Sequence, residues 1–346
     1  MWQVIGQDGV VSLLRRALEK DSLGHAYLFT GPAHVGKMTL AVDLARALNC
    51  PVEERPCGEC ESCRKIAAGS HADVQVIGLA QDENNAEAKL ISIDQIRQAQ
   101  HAASLPPFEG KCRVFIIDGA ELLSIEAANC LLKTLEEPGD NVVFLLLAVA
   151  ESLLLDTVIS RCQRLELRPA SVAEVASVLN SSWAVDTERV ALLARLAHGC
   201  MGWAVQAVND TGLMERRETE LNDILNAIRG NYEERFAYVA RLVTAFSRNR
   251  ARVYDLLGLW LDYWRDLLMV KLGLHDLITN IDRLDVIQEM AGNSSLSQVK
   301  DFIEGIQQAG AQLERNANPR LVLEVLMLDI PGKEDGRREN LSASYR

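Results

Sequence analysis

Residues 26–49 read AYLFTGPAHVGKMTLAVDLARALN. An apolar run, 26–31, ends in glycine; a short loop follows; then KMTLAVDLARALN carries its apolar residues at helical spacing. Gly31, Gly36 and Lys37 fall in the register of the phosphate-binding loop G-x-x-x-x-G-K-[ST], with Met38 where the pattern has a hydroxyl. Such a loop wraps phosphates in backbone N–H groups at a helix N-terminus, and its Lys neutralises the terminal oxygens. The hydroxyl ligates Mg²⁺, a cation that takes oxygen, so Met38 cannot replace it. Thr39 is turned about 100° further round the helix and is not expected to substitute. ATP with Mg²⁺ is therefore read against a degenerate site at Gly31, Gly36, Lys37, Met38 and Thr39. A glycine-rich strand–helix turn without a ligand is the competing reading.

Strand and helix alternate outward from this stretch. ADVQVIG (72–78), KCRVFIID (111–118), NVVFLLLAVA (141–150) and RCQRLELRP (161–169) read as strands. ISIDQIRQAQHAAS (91–104) reads as a helix opened by Ser92, and SIEAANCLLKTLEE (124–137) as one stopped by Pro138-Gly139. Near-continuous apolar strands between helices predict an α/β fold around a parallel sheet. RVFIIDGAE ends its strand in Asp118, a group that can serve Mg²⁺ through water; an ordinary surface Asp is the alternative. Glu121 lies beyond the strand end and is expected to point elsewhere. After Pro169 nearly everything has helical period, first to about residue 210 and then to about 330. The polar tail is expected to be disordered.

The chain has 346 residues, 48% of them hydrophobic, and this length predicts two or three domains. The N-terminus has no basic segment followed by an apolar run, and no stretch suits a membrane span, so a soluble cytoplasmic protein with no membrane partner is expected. A net charge of −12 argues against a chain that grips DNA alone through a broad basic face. Of eight cysteines, Cys112, Cys130, Cys162 and Cys200 are scattered and expected to be reduced. Cys50, Cys57, Cys60 and Cys63 form C-x6-C-x2-C-x2-C, a spacing that suits a closed tetrahedral structural Zn²⁺ site; a redox pair or free thiols are the alternatives.

The chain resembles the bacterial DNA polymerase III clamp-loader subunits, most of all the delta-prime type. The resemblance rests on IGQDGVVSLLRRAL (5–18), GHAYLFTGP (24–32), the cysteine cluster, ISIDQIRQ (91–98), AANCLLKTLEEP (127–138), ISRCQ (159–163), LARLAHGCMGWA (193–204) and NPRLVLEVLML (318–328). It implies an AAA+ P-loop-type module at 1–168 with a zinc-binding insertion at 50–63. A small helical lid at 169–212, an all-helical oligomerisation collar at 213–331 and a tail at 332–346 would follow. It also implies a hetero-pentameric ring with gamma/tau and delta subunits, acting on a sliding clamp and primed DNA. In that family the arginine of S-R-C reaches a neighbour's ATP site, which makes Arg161 an arginine finger in trans. Active members also carry a Glu after the strand-end Asp, a polar residue closing the fourth strand and a lid Arg. Here Gly119, Ala148-Val149 and Trp203 stand there instead. The resemblance thus favours a subunit that donates its finger and hydrolyses nothing itself. A working ATPase of gamma/tau type, and a zinc-dependent nucleic-acid-binding module, are the alternatives. Lys133 is a candidate phosphate contact on the helix holding Asn129, against a plain solvated face. His25 and Tyr27 fit either a nucleotide base or simple packing. Trp260 and Trp264 are read as collar core, with a partner-binding face as the other reading.

Overall fold

The computed structural model describes residues 2–79, 90–183 and 185–331. The tail from 332 to 346 lies outside the described residues. Two compact units are present. The first runs up to Val178 and includes Ala197–Val205; the second takes Leu179–Leu196 and the described chain from Gln206.

The first unit runs α1 (Asp8–Glu19), β1 (Ala26–Thr30), α2 (Lys37–Asn49), α3 (Glu61–Ala67), β2 (Val74–Ile77) and α4 (Ile93–Ala103). It continues β3 (Arg113–Asp118), α5 (Ile125–Glu136), β4 (Val142–Ala148), α6 (Asp156–Ile159) and β5 (Gln163–Glu166). The strands form one parallel sheet in the order β2-β3-β4-β1-β5. Every expected apolar run is a strand, trimmed at its ends. Side chains alternate across a strand, so each strand feeds both faces. Tyr27, Phe29, Ile116, Leu145 and Leu147 pack with α1 and α2, while Leu28, Phe115, Ile117, Phe144 and Leu146 pack with α4 and α5. A sheet buried on both faces explains why its strands read as unbroken apolar runs.

Ser92 caps α4 with a reciprocal Gln95 contact, and the Ser124 hydroxyl accepts from Ala127 N at the start of α5. Because all strands are parallel, their carboxyl ends share one edge. Thr30 pairs with Ala148, and Asp118 with Leu147, so β1, β3 and β4 end side by side there. That edge is where parallel α/β sheets place ligands.

α7 (Val172–Ser182) and α9 (Met201–Asn209) each contribute to both units; between them lies α8 (Thr187–Leu196). The division thus cuts through 169–212, the stretch expected to be a lid. Ala197–Val205 joins the sheet unit through hydrogen bonds, Ala170 N to Gly199 O at 2.9 Å and Gly202 N to His34 O at 2.8 Å. The second unit continues with α10 (Thr211–Arg229), α11 (Tyr232–Arg248), α12 (Arg250–Lys271), α13 (Leu284–Asn293), α14 (Leu296–Glu314) and α15 (Pro319–Leu328). Trp260 and Trp264 are buried in its core against Phe302, with ring centroids 5.8 and 4.5 Å from it. They are core residues. Among the described residues no helix is long and apolar enough to cross a membrane.

Candidate functional site

The loop after β1 adopts the geometry its glycines predict. Gly36 precedes α2 at φ 109°, a conformation that only glycine takes without strain, and Gly31 lies at φ 146° where an added Cβ would collide with the Leu167 carbonyl. Lys37 Nζ folds back on the loop, donating to Gly31 O at 2.6 Å and Pro32 O at 2.8 Å. Partial burial lowers the Lys37 pKa, while the negative charges of Glu121 and Asp118 act to raise it. Met38 is half-buried against the core formed by α1, α2 and β1, and Thr39 is exposed.

Asp118 is exposed at the end of β3. Gly119 follows at φ 77°, a left-handed turn that a Glu could enter only with strain. That turn corrects the expectation for Glu121. Its carboxylate comes back toward the site, where Oε1 accepts from Val149 N at 3.3 Å beyond β4 and its charge acts on Lys37. Its other oxygen is buried without a protein partner. Cys200 also lies near Lys37; burial raises its thiol pKa and the lysine charge opposes that. Ala148 closes β4 with no polar atom in its side chain, and Trp203 is half-buried on α9.

Arg161 precedes β5 on a turn after α6, and its side chain is 31% exposed. Its Nη1 donates to Thr157 O at 2.7 Å, and its Nε donates to Glu136 Oε1 at 2.8 Å, with Nη2 bonded to the same oxygen. No local sequence motif marks Glu136. An acid in the last turn of a helix is the one signal it carries.

The four clustered cysteines do meet. Cys50 ends α2, Cys60 caps α3, and Cys63 lies inside α3. Their sulfurs and that of Cys57 all lie within 4.8 Å of one another, with Cys50–Cys60 at 3.9 Å and Cys57–Cys63 at 4.0 Å. Four thiolates at about 2.3 Å from Zn²⁺ span tetrahedral edges of about 3.8 Å, so the set fits the metal. Cys60 N and Cys63 N donate to Cys57 Sγ and Cys60 Sγ at 3.3 and 3.4 Å. The backbone N–H groups of Cys60 and Glu59 draw the Cys57 thiol down to about 6. The insertion is tied to the sheet unit by Asn49, which accepts from Lys111 N and Cys112 N, and by Lys65, which donates to Glu109 at 2.7 Å. Cys112 is buried, and Cys130, Cys162 and Cys200 are half-buried.

The remaining candidates are local. His25 Nε2 lies 2.8 Å from Leu135 O, and Tyr27 is fully buried with its hydroxyl accepting from Gly24 N. Asn129 and Lys133 are both exposed on α5.

A parallel sheet of this order, with a phosphate-type loop after β1, defines an α/β module of the phosphate-loop type, here followed by an all-helical region. Residues 6–171 match the family described as DNA polymerase III, delta subunit, and residues 212–331 match its C-terminal family. The chain belongs to the bacterial DNA polymerase III clamp-loader subunits, of delta-prime type. It is 28% identical to the delta' subunit of Bacillus subtilis over 93% of this chain and 95% of that one. It is also 28% identical to the B. subtilis tau subunit over 94% of this chain, but spans only 60% of tau. With the tau subunit of Escherichia coli it shares 35% identity over 57% of this chain and 31% of that protein.

Proposed function

We propose that the chain hydrolyses no ATP itself and donates Arg161 to the ATP site of a neighbouring subunit. The observation that carries this reading is Met38, a thioether packed on the core where the Mg²⁺ hydroxyl belongs. Gly119, Ala148 and Trp203 leave the water-orienting Glu, the strand-end sensor and the lid Arg unreplaced. The loop still suits phosphates: Gly31, Gly36 and Lys37 would hold them, with Asp118 toward a cation. ATP with Mg²⁺ is then a ligand of a degenerate site and not a substrate. A guanidinium supplied in trans stabilises charge on the transferring phosphoryl group, and the Arg161 side chain is partly exposed.

Zn²⁺ on Cys50, Cys57, Cys60 and Cys63 would brace the insertion, with no open position for catalysis. In this account the sheet module 1–168, a lid 169–212 and a collar 213–331 take their place in a cytoplasmic hetero-pentameric ring with gamma/tau and delta subunits. The ring places a sliding clamp on primed DNA. The net charge of −12 agrees with DNA held by the assembly and not by this chain alone.

The test is ATP hydrolysis by the purified subunit with Mg²⁺, beside Met38→Thr, alone and in the reconstituted ring with the neighbours' own loop lysines disabled. No turnover in either form agrees with the proposal. Turnover that disappears in Lys37→Ala would establish the second reading, an ATPase of gamma/tau type, which the intact Lys37 and the equal identity to tau favour.

A further inference from the structure

Arg161 is not idle in the free subunit. Glu136 is the last residue of α5, followed by Glu137 and the Pro138-Gly139 stop. A carboxylate there meets the negative end of the helix macrodipole, and Lys133 is the one basic residue in that turn. Its position is unfavourable unless a cation comes to it, and the cation that comes is Arg161.

The contacts leave the guanidinium almost fully used. Its Nε donates to Glu136 Oε1 at 2.8 Å, and Nη2 bonds the same oxygen. Nη1 donates to Thr157 O at 2.7 Å and lies 3.4 Å from Ser160 Oγ. A guanidinium has five N–H donors, and two parallel bonds from one edge are what make it grip a phosphate. The Nε–Nη2 edge, one of the two that can make that grip, is taken by Glu136, and Nη1 on the other edge is turned to Thr157 O. Both side chains nevertheless stay partly exposed, at 31% for Arg161 and 50% for Glu136. Exposed pairs of this kind are weak and exchangeable.

We propose that Glu136 is a positioning residue that parks Arg161 in cis, and that a neighbour's terminal phosphate must displace the Glu136 carboxylate to engage the guanidinium. The inference rests on Arg161 being the finger. The exchange is one of partners: the carboxylate returns to water as the phosphate oxygens take the Nε–Nη2 edge, and no bond is made or broken. A competitor in the free state weakens ground-state and transition-state contacts alike, so its removal acts on KM and not on kcat.

The experiment is steady-state ATP turnover by the reconstituted loader carrying Glu136→Gln, an isosteric change, with Arg161→Ala in parallel. Glu136→Gln is expected to lower the apparent KM for ATP by about two- to five-fold, the size set by an exposed ion pair, without lowering kcat. The shift is expected to vanish when Arg161→Ala is added. Thermal unfolding of the isolated variant checks that the subunit is intact, and Glu136→Asp, which keeps the charge, is expected to return KM toward the wild-type value. An unchanged or raised KM, or a fall in kcat, overturns the parking role while leaving Arg161 as the finger. If Arg161→Ala alone leaves turnover intact, the finger reading itself fails, whatever Glu136→Gln does.

Discussion

Lys37 folds its amine onto Gly31 O and Pro32 O, and partial burial disfavours its charge. Its folded-state pKa lies below the ordinary 10.5, so the unfolded chain binds the proton more tightly. Stability therefore rises as pH climbs from the lowered value toward 10.5. Competitive acylation of the folded protein is expected to give Lys37 a midpoint below those of exposed lysines, and Lys37→Met is expected to remove the alkaline rise in stability. A midpoint at or above 10.5 would mean that the charges of Glu121 and Asp118 outweigh the burial of the amine. The loop residues were legible because their spacing is covalent: Gly31, Gly36 and Lys37 must fall on one turn. Glu121 and Glu136 were not. Glu121 returns to the site only through the left-handed turn at Gly119, and Glu136 meets a residue 25 positions away. Neither fact is written in a local pattern.

At the scale of elements, the strands and the helices around them could be read from apolar runs and from the Ser92 and Ser124 caps. The short α3 hides in a cysteine-rich stretch with too few residues to show a period. Strand order was not legible, since an apolar run says that a strand is buried and not beside which strand. The turn before β3 depends on buried Asp73, whose carboxylate accepts from Phe108 N, Glu109 N and Gly110 N at 2.7 to 2.8 Å. Burial pushes the Asp73 pKa up, but these three donors and Arg113 outweigh it and leave it below the usual 3.8. Its stabilisation is thus complete above the unfolded value and is lost as pH falls through the lower folded value. Asp73→Asn is expected to cost about 2–4 kcal/mol by denaturant unfolding and to flatten the acid limb of the stability profile. A loss below about 0.5 kcal/mol would show that the turn holds without it. For the cysteine insertion, we expect about one tightly held Zn²⁺ per chain, lost in Cys63→Ser. Cobalt substitution is expected to give thiolate charge-transfer absorption in the unmutated chain only; a metal-free chain with an equally protease-resistant 50–67 segment would contradict the assignment.

For the molecule as a whole, the sequence separates an α/β part from an all-helical part, and the fold agrees. What it does not reveal is that Ala197–Val205 joins the sheet unit, because the hydrogen bond from Gly202 N to His34 O spans 168 residues and leaves no local trace. The helical unit rests on its aromatic core, and Trp264→Ala is expected to cost about 3–5 kcal/mol there, read as an early melting transition. An unchanged melt would deny that the tryptophan stripe is core. The central claim is that this chain supplies chemistry to a neighbour and performs none itself. Its most direct test is the ATPase rate of the reconstituted loader with Arg161→Ala in this subunit alone. The account predicts a fall of about 10³-fold or more at the neighbouring site, with folding and assembly of the subunit unchanged. Neighbour-site turnover at the unmutated rate would contradict it.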